Sequence, residues 1–418
     1  FWKKYLVKFI YDFFIILAFL ICQPLRLISD KINLSYKGRM KSFEILKKEV
    51  NPNEKNIWFH VSSLGEFEIA KPIIESLKKK FDNTKIIVTF FSPSGYENSK
   101  KYKYTDSKLY LPLDSSFNAK RFVSIVNPRI AIFVKNDIWS NYIYYLKKNN
   151  SIIYSLSSRF NKSQFYFKFY GSWFLKQLKK IDFFYVQDDN SKRLLEKNSF
   201  DNVNISGDSR YTSVINTLNK NKRITKVEKF INDKICFIAG SIWESDIELI
   251  DKVIKSNIKS ILAPHDISES FITNLKREYA NNCIKYSDLK NEDDFKKNIL
   301  IIDSIGILKY LYRYANIAYV GGGMGNKGLH NILEPGVFSI PILIGKNFKG
   351  FSEAEDLISL GGVISVNNSD EFYKCFNNLT NSEELRDKFG KSNLKYIKKN
   401  IKKNKKFTDS LTENLRHL

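Results

Sequence analysis

Residues 56–80 read NIWFHVSSLGEFEIAKPIIESLKKK, and the change of period inside this stretch decides the fold class. Asn56–Val61 is a short apolar run that stops at Ser62-Ser63-Leu64-Gly65. From Glu66 the spacing becomes helical: Ile69, Ile73, Ile74 and Leu77 share one face, and Lys78–Lys80 close the helix at its negative end. The rhythm continues through strands at Lys85–Phe90, Arg129–Val134 and Ser151–Leu156. It restarts at Ile235–Ala239 and runs on through Ser260–Ala263, Ile299–Ile302, Ile317–Val320 and Ile340–Ile344. Strands alternating with helices require a parallel sheet covered on both faces. The expected class is therefore α/β with two doubly wound domains, and the expected site lies in a cleft beyond the carboxyl ends of their strands.

A chain of 418 residues, 43% hydrophobic and with only 9 prolines, has room for two sizeable cores. The polar, Lys/Asn-rich segment around Thr217–Val227 is the expected boundary. It divides the chain into an anchor helix (1–24), an N-terminal domain (25–216), a C-terminal domain (217–400) and a helical tail (401–418). The polar stretch from Glu383 to Leu418 reads as helix able to pack back across the cleft.

The formal net charge is +24. Its lysines are scattered among Asn and Ile rather than clustered, so composition explains most of it and an anionic membrane surface is the next reading. No nucleic-acid-binding signature accompanies the charge, so no nucleic acid partner is expected. Cys22, Cys236, Cys283 and Cys375 have no CxxC spacing, which argues against a disulfide framework and a zinc site and fits a reducing cytosol. Phe9–Cys22 (FIYDFFIILAFLIC) is apolar except for Tyr11 and Asp12, and lysines flank it on both sides. It is shorter than the ~20 residues of a confident span. Its basic start suits a signal peptide, but no small-residue cleavage site follows. It reads as a membrane anchor, either a short span or an interfacial helix; the alternative is a buried core helix.

Several residues after strand ends can carry chemistry. Glu66 opens a helix behind Ser63 and Gly65, the glycine letting the chain turn tightly. A carboxylate there can take a hydroxyl proton, although a helix N-terminus favours Glu in any protein. Tyr319–Pro335 (YVGGGMGNKGLHNILEP) ends a strand in glycines, as a loop passing close to a phosphate or sugar must. Gly323, Gly325 and Gly328 match GxGxxG. The match lies late in the chain, and the strand that should end in an acid ends in Gly345-Lys346, so a dinucleotide cofactor is not expected. Glu334 is placed to accept both hydroxyls of a ribose, with Pro335 bending the helix behind it. Gly240-Ser241 after a strand is a candidate phosphate nest. Pro264-His265, Asp303 to Gly306, His330 and Arg210 in Gly207–Tyr211 complete the set. No HExxH or paired His–carboxylate spacing occurs, so no metal is expected, and no Ser-His-Asp arrangement is evident.

Together these segments resemble the 3-deoxy-D-manno-octulosonic acid (Kdo) transferases of lipopolysaccharide synthesis. HVSSLGE (60–66), VTFFSPSGY (88–96), the DIW of KNDIWSN (135–141), GDSRY (207–211), AGSIWESD (239–246), APH (263–265), DSIGIL (303–308) and GLHNILEPGVFSIPILIGKNF (328–348) carry the resemblance. It implies a GT-B glycosyltransferase of two Rossmann-like domains, anchored on the cytoplasmic side of the inner membrane. It also implies CMP-Kdo as donor substrate, a lipid A precursor as acceptor, inversion at the anomeric carbon, and neither cofactor nor metal. By that resemblance Glu66 is the base, and Asp137 and Arg210 help to stabilise the transition state. CMP is held at Pro264-His265, at Ile305-Gly306-Ile307, and at Asn331, Ile332, Leu333 and Glu334. The chain departs from the family pattern at Lys135 (often Glu), Asp137 (Glu), Arg210 (Lys) and His265 (Arg). A GT-B transferase using another nucleotide sugar is the alternative.

Overall fold

A computed structural model describes residues 2–416 apart from 82, 101, 137–138, 207, 281, 326–327 and 402–404, with the side chains of 2–6, 98, 405–406 and 408 also left aside. The chain forms two compact units, residues 1–210 with 401–418, and residues 211–400.

The first unit opens with helices α1 (Trp2–Leu25) and α2 (Asp30–Glu49), then β1 (Asn56–Val61) and α3 (Leu64–Lys80). Strands β2 (Lys85–Phe90), β3 (Ser107–Tyr110), β4 (Pro128–Val134), β5 (Ile152–Ser158), β6 (Phe183–Val186) and β7 (Val203–Ile205) follow, with helices in most of the intervals. The seven strands are ordered β3-β2-β1-β4-β5-β6-β7, every pairing parallel. All six residues of β1 are buried. Ile57, Phe59 and Val61 face one core, while Trp58 joins the other beside Phe122 and Phe133. A central parallel strand must be apolar on both faces, so the NIWFHV run shows no polar alternation.

The second unit repeats the plan with β8 (Cys236–Ile242), β9 (Lys259–Pro264), β10 (Cys283–Lys285), β11 (Ile299–Ile301), β12 (Ile317–Val320), β13 (Ile342–Gly345) and β14 (Val363–Val366). Their order is β10-β11-β9-β8-β12-β13-β14, again parallel throughout. In each sheet the strand order reverses beside the first strand of its unit, between β1 and β4 and between β8 and β12. The α/β, doubly wound class is thus observed in both halves.

Two expectations shift. The expected boundary at 216/217 falls inside the helix Arg210–Asn219, and the contacts divide the chain at its head, between Arg210 and Tyr211. The polar loop after that helix attracts a sequence-based boundary, whereas packing sets the real one. Residues 401–418 are no separate tail: Phe407, Leu411 and Leu415 lie in one core cluster with Tyr154 and Tyr185 of the first unit.

Within α1, Val7–Leu25 is long and apolar enough to cross a membrane (mean hydropathy 1.8), and none of it is buried in the protein. Phe13, Phe14, Leu20 and Ile21 are each more than half exposed, so α1 is not a core helix. Its two polar interruptions are its attachment. The Tyr11 hydroxyl donates to Asp114 Oδ2 at 2.7 Å. Asp12 accepts from the Ser116 amide (3.2 Å), the Ser116 hydroxyl (2.8 Å) and Asn141 Nδ2 (2.7 Å). Asp114, 1% exposed, also accepts the amides of Asn141 and Tyr142 at 3.1 and 3.0 Å at the head of helix Ser140–Lys148. Burial pushes its carboxyl up to about 7, against the three donors that favour the charge. Asp114→Asn turns an amide group toward donors and is expected to destabilise the first unit by about 2 kcal/mol. Chemical denaturation reads that loss, and hydrogen exchange in α1 should quicken; unchanged exchange would show that α1 is held elsewhere.

Candidate active site

In each unit some candidates follow the strands at the switch in order, Glu66 after β1 and His330 after β12, where doubly wound sheets open a crevice for ligand. Arg210, by contrast, follows the edge strand β7, His265 follows β9 and Ile305 follows β11. In the first unit, Ser63 is the N-cap of α3, and its hydroxyl accepts from the Glu66 amide at 3.4 Å. The Glu66 carboxylate in turn accepts the Ser62 amide. This reciprocal arrangement is a capping box read one residue early, so Glu66 is fixed in place by the helix start itself. Gly65 does not make the turn as expected. It lies inside the first turn of α3 without a left-handed φ, and an added Cβ would meet only the Ser63 hydroxyl, at 3.9 Å. Its contribution is a bare surface beside Glu66.

The loops after β2 and β4 lock this turn. The amides of Phe91 and Ser92 donate to the carbonyls of Val61 and Ser62 at 3.2 and 2.8 Å. Gly95 packs directly on the turn, since a Cβ there would lie 3.1 Å from the Ser63 carbonyl carbon. Trp139 Nε1 donates to His60 Nε2 at 3.0 Å, and its ring stacks on Phe91 at 5.2 Å. An indole nitrogen only donates, so His60 Nε2 accepts and Nδ1, 2.8 Å from Thr89 Oγ1, carries the proton. Lys135 holds a left-handed φ of 60° at the end of β4, its amide bound to the Leu156 carbonyl at 2.7 Å. Asp137 lies outside the described residues.

Arg210 is paired rather than extended. Its Nε and Nη2 both lie 2.7 Å from Asp208 Oδ2, and its amide donates to Asp208 Oδ1 at 2.8 Å. The neighbouring Ser209 hydroxyl donates to the Ile69 carbonyl on α3, which ties this segment to the helix that carries Glu66.

The second unit holds a similar device. Trp243, the N-cap of helix Glu244–Ile254, donates from Nε1 to His330 Nε2 at 2.9 Å. His265 stacks across the faces of both, its ring centroid 4.4 Å from Trp243 and 4.5 Å from His330. Burial and the neighbouring His265 lower His330 to about 4, and burial of its faces also lowers His265. Both imidazoles are therefore neutral at pH 7, and His330 keeps its proton on Nδ1. Asp246, fully buried, accepts from the Trp243 amide (2.9 Å), the Tyr319 hydroxyl (2.6 Å) and the Gly322 amide (3.0 Å). It thus binds the loops after β8 and β12 together.

Other expected positions change character. Gly240-Ser241 is not a nest beyond a strand. Both lie within β8 at a bulge where Ser241 takes φ 55°, and Gly240 makes room for Tyr312, whose hydroxyl would sit 1.9 Å from a Cβ. Gly321, Gly322 and Gly323 serve close backbone packing: Gly322 (φ 90°) lies against the Gly328 carbonyl, where a Cβ would be 2.2 Å away. Pro264 is buried at the end of β9. Ile305 is 80% exposed, followed by Gly306 with φ 91° and open space beside it. Ile332 and Leu333 are core residues at 1% and 0% exposure, so only their backbones can meet a ligand. Asn331 caps them, its Oδ1 accepting the Leu333 amide at 3.2 Å, while Asn331 Nδ2 stands 3.5 Å from Glu334 Oε1. Pro335 neither bends a helix nor frees a carbonyl, because it sits in the first turn of Leu333–Gly336, where its missing N–H has no helical partner. Among the described residues no cluster of three His, Cys, Asp or Glu side chains forms a metal site.

Sequence reasoning did not single out Trp139, Trp243, Asp246 or Gly95. All four lie in motifs that it quoted, but their roles depend on partners 79, 87 and 76 residues away for the first three.

Comparison with known proteins fixes the family. The family model described as 3-deoxy-D-manno-octulosonic-acid transferase (kdotransferase) matches residues 36–213. A 3-deoxy-D-manno-octulosonic acid transferase of Aquifex aeolicus is 30% identical over 72% of this chain and 81% of its own. The chain belongs to the Kdo transferase family. The Haemophilus influenzae transferase is 27% identical over 93% of this chain and 95% of its own. A bifunctional glycosyltransferase/methyltransferase of Fusobacterium nucleatum is 30% identical over 91% of this chain, which spans 62% of that protein's length. Among solved structures, a glycosyltransferase from Rickettsia africae matches with a TM-score of 0.54 at 14% identity, covering 88% of this chain and all of its own. UDP-GlcNAc 2-epimerase from Neisseria meningitidis matches at 0.57 and 14%, covering 87% and 100%. At such identity the two structures speak for the GT-B-like fold alone. With the family comes the coarse chemistry, glycosyl transfer of Kdo in lipopolysaccharide synthesis.

The low His330 value sets a pH dependence. Its folded pKa of about 4 lies below the ordinary 6.5, so between those values the unfolded chain binds the extra proton. Stability of the second unit is full above pH 6.5 and falls as pH drops toward 4. Thermal midpoints measured from pH 7 to pH 4 should decline by several degrees, and His330→Gln should flatten part of that slope.

Proposed function

We propose that this chain moves Kdo from CMP-Kdo to a hydroxyl of a lipid A precursor, with Glu66 as general base. The acceptor oxygen bonds to the anomeric carbon as the bond to the CMP phosphate breaks on the opposite face. The hydroxyl proton passes to Glu66, and CMP leaves with the electron pair. The observation that carries this reading is the Glu66 carboxylate, held at the switch point of its sheet by Ser62 and Ser63. Preorganisation of this kind lets a carboxylate accept a proton without first having to be ordered. Asp137 and Arg210 assist as the charge develops, Arg210 being set in direction by Asp208.

CMP is read into the second unit. Ile305 and Gly306 offer an exposed apolar edge with open space beside it. Asn331 and Glu334 supply polar groups, and His265 an edge N–H in place of the family's arginine. A neutral imidazole offers the phosphate a hydrogen bond without full charge. No cofactor or metal enters the scheme.

The acceptor is a membrane lipid, and α1 fits its surface, which we read as the cytoplasmic side of the inner membrane. Tyr11 and Asp12 are bound to the folded unit, which leaves Phe13–Leu25. At ~1.5 Å per residue that segment reaches about 20 Å, short of a ~30 Å hydrocarbon core. The exposed apolar face therefore lies in the interface rather than across it.

Glu66→Gln keeps an acceptor for the Ser62 amide and removes the base. Transfer, followed by mass analysis of the glycolipid, should fall by ~10²–10⁴-fold while CMP binding and thermal stability persist. Glu66→Ala should lose about 1 kcal/mol of stability as well. Near-normal turnover by Glu66→Gln would leave the carboxylate as a helix cap and nothing more. For the donor, CMP is expected to raise the thermal midpoint more than UDP at equal concentration; the reverse order would point to another nucleotide sugar.

A further inference from the structure

The first unit contains an apolar groove that the proposed chemistry leaves unassigned. It holds about 620 Å³ between α1, α2 and the helix Ser116–Val126. Ile15 and Phe19 of α1, Met40 and Phe43 of α2, and Pro112 and Leu113 line it. Phe19, Arg39 and Leu113 also line a second cavity of about 360 Å³, which continues to Phe91, Ser92 and Pro93. That far end is next to the proposed base, because the Ser92 amide donates to the carbonyl of Ser62, whose own amide holds Glu66. The path thus begins on the exposed apolar helix and ends at the catalytic turn.

Its charges are of one dominant sign. Arg39, Lys47 and Arg121 line the larger cavity against a single acid, Glu44, and Lys31 lines the smaller. Arg39 stands where the two meet. Among the described residues its guanidinium donates to the carbonyls of Leu111, Phe91 and Ser35 and to the Ser35 hydroxyl, with no carboxylate in reach. Arg121 covers the Phe43 ring at 4.2 Å, with no acidic partner among the described residues. Cations that lack counter-ions on the wall of an apolar channel complement a molecule with a hydrocarbon body and an anionic head.

We propose that this channel binds an acyl chain of the phosphorylated acceptor lipid, with Arg39 drawing its head toward Glu66. The proposal rests on the acceptor assignment above, and the two can fail separately. The full chain, mixed with neutral phosphatidylcholine vesicles containing phosphatidic acid with a diazirine on one acyl chain, is irradiated and its adducts are mapped. Adducts on Ile15, Phe19, Met40 or Phe43, displaced by an acylated lipid A precursor but not by its deacylated form, are expected. Adducts confined to Phe13, Phe14, Leu17 and Leu20, or unaffected by the precursor, would overturn the channel. In kinetics, Met40→Trp should raise the ratio of KM for acylated over deacylated acceptor at least tenfold, and an unchanged ratio would count against the proposal. Should no Kdo be transferred at all, the acceptor assignment fails while the adduct map still decides the channel.

Discussion

A parallel strand buried on both faces has only its ends left for chemistry. β1 and β8 are buried almost throughout, so each delivers its functional groups at the carboxyl terminus, where the backbone leaves the sheet. Everything that matters in either unit follows from how those ends are held. In the first, a serine cap and two cross-loop hydrogen bonds fix a glutamate. In the second, one buried aspartate joins two loops and leaves an imidazole stack at the surface.

Both units use an indole N–H to pin an imidazole nitrogen, Trp139 on His60 and Trp243 on His330. The physical effect is the same: a single tautomer, a fixed ring plane and a link between loops from neighbouring strands. The consequences differ with burial. His60 is sealed within its sheet, whereas His330 carries an exposed neighbour, His265, on its face. His265 is accommodated there by stacking, since a flat neutral ring packs where a guanidinium would need a counter-charge or water.

The fold class was legible because central parallel strands are continuous apolar runs, and nine of them stand out. The strands missed, β3, β6, β7, β10 and β14, have three or four residues and lie at or beside the sheet edges, where half-exposed positions dilute the signal. Glu66, His265 and the 331–334 segment stood out as candidates because each follows a recognisable strand. Their supports were not: Asp246 and Trp139 look like ordinary helix-start residues until the sheet brings their distant partners alongside. Glycines misled most. Gly65 was read as a turn former and Gly240 as part of a phosphate nest, yet one leaves a surface bare and the other accommodates Tyr312. A sequence shows that a Cβ is absent, but the space that it would have filled is tertiary.

The bonds of Tyr11 and Asp12 to the unit behind them also fix the rotation of α1 about its own axis. A helix turns through ~100° per residue, so these two contacts decide which side chains α1 turns away from the unit. An anchor on a flexible tether would tolerate an added or deleted residue. Here such a change would turn the apolar face sideways relative to the unit. α1 is therefore an orienting element as much as an attachment, as specific in its register as any core strand.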